Sequence, residues 1–127
     1  MKQIISTTKA PSAIGPYNQA TAFDKLLFLS GQIPLVPQTM EIIEGGVKEQ
    51  TVQVMENLKA VLEEASSSFE NVLKTTCYLS DMDNFVAFNE IYGEYFNAQT
   101  APARSTVAVK TLPKNVLVEV DVIAFKN

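Results

Sequence analysis

The segment Val116–Phe125 constrains the fold more than any other part of the chain. Val118, Val120, Val122 and Ala124 form one unbroken apolar face, and Leu117, Glu119, Asp121, Ile123 and Phe125 lie opposite. A period of two is that of an extended strand, whereas apolar positions on a helix recur every three or four residues. Such a strand needs neighbours for its backbone and a cover for its valine face, so the chain has to build a sheet with helices packed on one side. The second face mixes Leu117, Ile123 and Phe125 with two carboxylates. It is too apolar to leave wholly in water, which points to self-association.

The remaining elements follow from the same periodicities. Gln3–Ser6 reads as a short strand. The stretch from Ala10 to Tyr17, with two prolines and a glycine, reads as an ordered loop. Thr21–Phe23 and Leu26–Ser30, separated by Asp24-Lys25, predict a hairpin ending at Gly31. From Val47 the positions Val54, Met55, Leu58, Val61, Leu62 and Ala65 follow three- and four-residue steps, which predicts an amphipathic helix between Gly45-Gly46 and Ser66.

Leu73–Leu79 alternates again and places Cys77 on the apolar side as a small core residue. Asp81 or Asp83 is placed to cap a second helix carrying Phe85, Phe88, Tyr92, Tyr95 and Phe96, aromatics that read as core. Arg104–Lys110 and Val116–Phe125, joined around Pro113, read as a strand, turn and strand. The expected architecture is one α+β domain over residues 1–127, a mixed sheet of about six strands with two helices on one face.

Composition narrows the chemistry. There is no histidine, so a His-based triad, an imidazole proton shuttle or a His-containing zinc site cannot come from this chain alone, and a single cysteine forms neither an intramolecular disulfide nor a metal cluster. A net charge of −4 without a Lys/Arg cluster argues against nucleic acid as a partner. The apolar runs are far below membrane-spanning length and Met1-Lys2-Gln3 opens no secretory segment, which gives a cytoplasmic reading with no membrane partner.

Two positions stand out as carriers of chemistry. Arg104 follows Ala101-Pro102-Ala103, so a rigid turn delivers a guanidinium fork suited to a carboxylate. Glu119 and Asp121 project from a valine-rich strand, where paired carboxylates are unfavourable unless they meet a cation, water or ligand; one of them is a candidate general acid/base. In a simple terminal hairpin Arg104 lies opposite residue 122 or 123, roughly 10 Å from Glu119. The two either bracket a small ligand within one chain or face each other across a subunit boundary.

Ala13-Ile14-Gly15-Pro16-Tyr17, Ser30-Gly31-Gln32-Ile33-Pro34, Lys74-Thr75-Thr76, Phe88-Asn89-Glu90-Ile91-Tyr92, Pro102-Ala103-Arg104-Ser105, Leu112-Pro113 and Val118-Glu119-Val120 together resemble the reactive intermediate deaminase family (Rid, also YjgF), in order and over essentially the whole chain. The resemblance implies a chorismate-mutase-like fold and a homotrimer with interfacial pockets. It implies cofactor-free hydrolysis of 2-iminobutanoate and 2-iminopropanoate, the imino or enamine acids released by pyridoxal-phosphate-dependent threonine and serine dehydratases. It places the carboxylate-binding arginine at Arg104, the water-associated glutamate at Glu119, the loop tyrosine at Tyr17, a backbone contact at Gly31 and a further pocket residue at Asn89. Many relatives carry cysteine where this chain has Thr106, so a thiol has no part here and only the Thr106 carbonyl keeps a role beside the water. Two other classes stay open on the residues: a non-catalytic, regulatory trimer that binds small carboxylates, and an endoribonuclease.

Overall fold

The computed structural model describes residues 1–127. Six strands form one mixed sheet: β1 (Gln3–Ile5), β2 (Ala20–Phe23), β3 (Leu26–Gln32), β4 (Val72–Leu79), β5 (Ala103–Ala108) and β6 (Val118–Phe125), in the order β1-β2-β3-β6-β4-β5. Only β4 and β5 run parallel. Helices α1 (Val47–Glu64) and α2 (Phe85–Tyr92) complete the expected element order.

The alternation of β6 does what its sequence requires. Val118, Val120, Val122 and Ala124 are buried beneath α1, whose Val54, Met55, Leu58, Val61 and Leu62 are fully enclosed. Each such side chain contributes about 1.5–3 kcal/mol relative to exposure. Helix α1 starts at Gly46, whose N–H donates to Glu49 Oε1 at 2.8 Å, and its polar residues also serve the fold. The buried Asn57 amide donates to the Ile33 and Leu35 carbonyls at 3.3 and 2.9 Å, and Gln50 Oε1 accepts the Leu117 N–H at 2.8 Å. These bonds fix the segment after β3 and the entry to β6, next to Gly31 near the end of β3 and Glu119 near the start of β6.

The terminal segment is not the hairpin its sequence pattern predicts. β5 pairs with β4 alone, Thr75 opposite Arg104 and Cys77 opposite Thr106, and β4 separates it from β6. The rigid turn before Arg104 and the 3-10 turn Pro113–Asn115 both fit a hairpin reading, but β6 finds more apolar partner surface between β3 and β4 than a short hairpin would give it. Other boundaries move by two to four residues. β3 runs on to Gln32, the strand at Arg104 ends at Ala108, and α2 stops at Tyr92, leaving Tyr95 and Phe96 in the turn beyond, where both still pack on Phe69. Asp81 caps the 3-10 turn Met82–Asn84 just before α2, its Oδ1 accepting the Asp83 N–H at 2.8 Å.

Both helices cover one face of the sheet. The outer face leaves Phe23, Leu26, Phe28, Val107 and Phe125 exposed to between 37% and 57%, an uncovered apolar surface on one side of the sheet. No helix is long and apolar enough to cross a membrane.

Candidate functional site

The predicted site residues fall into two groups on opposite sides of the sheet. Arg104 is aligned with the buried Thr75, so its side chain leaves on the helix face. Its Nη1 donates to Asn89 Oδ1 at 2.7 Å, and its guanidinium carbon sits 4.6 Å from the Tyr92 ring centroid and 5.5 Å from that of Phe85. The Tyr92 ring is itself fixed, its hydroxyl 2.8 Å from Thr75 Oγ1. Helix α2 therefore supplies both the amide and the aromatic shelf that hold the guanidinium.

No carboxylate neutralises Arg104; the one ion pair in the chain joins Lys48 to Glu90 on the surface. Arg104 lines a cleft of about 500 Å³ together with Asn89, Tyr92, Phe96, Ala98 and Pro102. A cation fixed on an aromatic shelf, at a cleft and without a counter-ion, has the chemistry to accept an anion. Thr106, two residues on and on the same face, has a buried hydroxyl without a hydrogen-bond partner beside Cys77. Burial pushes the Cys77 thiol up to about 11, in keeping with a core residue rather than a nucleophile.

The second group lies on the outer face and at the end of β3. Between Leu29 and Gln32 β3 advances three residues while β6 advances two, a bulge that brings Gly31 against the Glu119 side chain. A Cβ at position 31 would overlap Glu119 Oε2, so glycine is what lets the carboxyl lie there. Glu119 makes no hydrogen bond or ion pair within the protomer. Burial first, and the nearby Asp121 charge second, raise its pKa above the usual carboxylate range.

Tyr17 stands at a cleft of about 330 Å³ that it shares with Gly31, Ile14 and Lys114. Its loop is ordered by the buried Gln19 carboxamide, which donates to the Thr7, Ala10 and Pro11 carbonyls and accepts the Thr7 N–H at 2.7 Å. The Tyr17 oxygen accepts the Ile14 N–H at 3.2 Å, which leaves its own proton free to donate into the cleft. Lys114 and Asn115, both at φ 56°, turn the chain past this cleft in a left-handed conformation that lysine rarely adopts.

One chain thus holds two separate groups, Arg104 with Asn89 and Gly31 with Glu119, on opposite faces of the sheet. The alternative in which Arg104 and Glu119 bracket a ligand within one chain is overturned. Tyr92, which reads as core, doubles as the shelf for Arg104, and Tyr78, one of the alternating positions of its strand, donates to Asp121 Oδ2 at 3.0 Å. Neither carries a local signal, because its partner arrives from a distant strand.

The chain and its fold have close counterparts among known proteins. Residues 7–126 match the family model described as endoribonuclease L-PSP. The chain belongs to the endoribonuclease L-PSP family. Among its L-PSP relatives, a RutC family protein of Synechocystis sp. is 57% identical over 123 residues, 96% of this chain and 95% of that protein. A Mus musculus protein named 2-iminobutanoate/2-iminopropanoate deaminase is 44% identical over all 127 residues and 93% of its own length. The crystal structure of E. coli TdcF with bound serine superposes with a TM-score of 0.91 at 40% identity, covering 98% of this chain and 99% of that one. RidA and RutC proteins thus share both the fold and the family with this chain, as the motif order predicts.

Proposed function

We propose that the protein hydrolyses small 2-imino and enamine acids, 2-iminobutanoate and 2-iminopropanoate among them, to 2-keto acids and ammonia. The observation that carries this reading is the Arg104 guanidinium, shelved on Tyr92, tethered by Asn89 and lacking a counter-ion at the wall of an open cleft. The mouse relative's name and the serine bound to TdcF, an amino acid with a carboxylate beside a nitrogen-bearing carbon, support the same substrate class.

Because Arg104 and Glu119 leave opposite faces, the reading requires a second copy of the chain, and a homotrimer whose outer sheet faces turn inward meets that requirement. In such a pocket Arg104 and Asn89 hold the substrate carboxylate. Gly31 offers backbone, and the Tyr17 hydroxyl closes the cleft as a hydrogen-bond donor. Glu119 and the Thr106 carbonyl orient a water against the C=N carbon.

As the water oxygen bonds to carbon, Glu119 takes its proton and a carbinolamine forms. Glu119 then returns the proton to nitrogen, the C–N bond breaks, and the hydroxyl proton leaves as the carbonyl forms. The iminium cation and water become a ketone, ammonia and a proton. A glutamate whose proton affinity is raised is better matched to this shuttle near neutral pH than an ordinary carboxylate. Iminium hydrolysis is fast in water, so orientation and one acid/base group suffice, and the scheme calls on no metal or cofactor.

The test generates 2-iminobutanoate with threonine dehydratase at constant flux and follows 2-ketobutanoate. Acceleration by the wild type that is lost in Arg104→Ala and Glu119→Gln supports the reading. Ligand binding without turnover, unchanged in Glu119→Gln, would instead make the protein a carboxylate-binding regulator. Cleavage of single-stranded RNA by the purified protein would favour the ribonuclease activity in the family's description.

A further inference from the structure

The outer-face carboxyl pair contains an arrangement that the scheme above does not use. Asp121 leaves β6 on the same face as Glu119, two residues and roughly 7 Å along the strand. Tyr78 of β4 lies directly opposite Glu119 in the ladder, yet its hydroxyl donates diagonally to Asp121 Oδ2 at 3.0 Å. One carboxylate of the pair is thus anchored and the other left without a partner.

The groups facing Glu119 are few. Its own strand supplies Asp121, β4 supplies the Tyr78 hydroxyl, and β3 supplies the backbone at Gly31. Lys74, the cation of β4 on this face, sits across from Ile123 at the other end of the ladder. Within one protomer the charge acting on Glu119 is therefore that of Asp121; in the shared pocket of the proposed reaction, Arg104 of the second copy acts in the opposite sense. Two carboxylates on one half-buried surface do not release their protons independently, and the Tyr78 hydroxyl fixes one of them in place beside the other.

We propose that Asp121, anchored by Tyr78, is a positioning residue that acts through Glu119, its fixed negative charge retaining on Glu119 the proton that moves during turnover. The inference rests on Glu119 serving as the acid/base group of the proposed reaction. Burial pushes Glu119 the same way, so Asp121 adds to an effect the fold has already begun. Tyr78 is suited to the anchoring role because burial and the Asp121 bond both raise its own pKa, keeping it a donor.

The experiment measures the pH dependence of kcat/KM on 2-iminobutanoate for wild type, Asp121→Asn and Asp121→Glu. Asparagine keeps the acceptor for Tyr78 and removes the charge, so the acid limb moves to lower pH; glutamate keeps the charge and restores the limb toward its wild-type position. A limb that stays in place in Asp121→Asn overturns the proposal.

A second measurement is independent of turnover. Carboxyl carbon NMR of glutamate-labelled protein, with the Glu119 resonance assigned by its loss in Glu119→Gln, follows the Glu119 midpoint directly. It falls in Asp121→Asn and, by less, in Tyr78→Phe if the proposal holds; an unmoved midpoint in both refutes it. If the wild type accelerates no imine hydrolysis, the functional reading fails while this titration still decides the role of Asp121.

Discussion

Arg104 and Glu119 emerge from opposite faces of one sheet, with strand β4 between them. Arg104 aligns with the buried Thr75 and rests on Tyr92 of α2, whereas Glu119 aligns with Tyr78 and abuts Gly31 on the side the helices leave bare. If one pocket uses both, they come from different subunits. Arg104→Ala and Glu119→Gln, each inactive alone, then restore activity when co-refolded. Random assembly from equal amounts leaves about a quarter of interfacial sites with both native groups. Recovery near that fraction is expected in the dehydratase-coupled assay; mixtures no more active than either parent would refute a shared site.

Arg104 is more than a positive charge. Its planar guanidinium stacks on Tyr92 while one N–H is held by Asn89, a geometry that an ammonium does not reproduce. We expect Arg104→Ala to lower kcat/KM by about 10²–10³-fold through loss of the carboxylate clamp. Arg104→Lys should recover little of it. Steady-state kinetics that place the lysine variant within a few-fold of wild type would reduce the site to simple charge attraction.

Gly31→Ala separates activity from stability. The added methyl meets the tip of the flexible Glu119 side chain, which can swing aside at little cost to the fold. The displaced carboxyl no longer reaches the water it is proposed to activate, and a misplacement of about 1 Å is worth up to about 10²-fold in rate. The thermal midpoint should therefore stay close to wild type while kcat falls. A large loss of stability with kcat intact in the folded fraction would contradict the proposed placement.

The raised pKa of Glu119 has a stability consequence with a defined sign. A carboxyl whose folded pKa exceeds its unfolded value contributes stability that is present below the unfolded value and is lost as pH rises through the folded one. Above the ordinary glutamate range the native state thus carries an unfavourable charge, which Glu119→Gln removes. Calorimetry should find the variant's Tm exceeding that of wild type by a margin that widens from about pH 4 to about pH 8. A margin independent of pH would mean that Glu119 titrates as it does in the unfolded chain.

Much of this protein is legible before any coordinates. The alternation of β6, the three- and four-residue steps of α1 and the two-residue turn at Asp24-Lys25 depend on period and sterics within a few residues, and they fix the elements, their inner faces and the buried Cys77. The ordered motifs ending in Pro102-Ala103-Arg104-Ser105 and Val118-Glu119-Val120 indicate the family as well, because side-chain identity at fixed order survives without structure. Which strands become neighbours is a different kind of question. Insertion of β4 between β5 and β6 follows from burying the valine face of β6 on both flanks, a long-range choice that no local pattern encodes. That choice sends Arg104 and Glu119 to opposite faces, sets Tyr92 under the guanidinium and brings Tyr78 to Asp121. The sequence determined the chemical groups and the parity of each strand; the tertiary structure alone decided which groups meet.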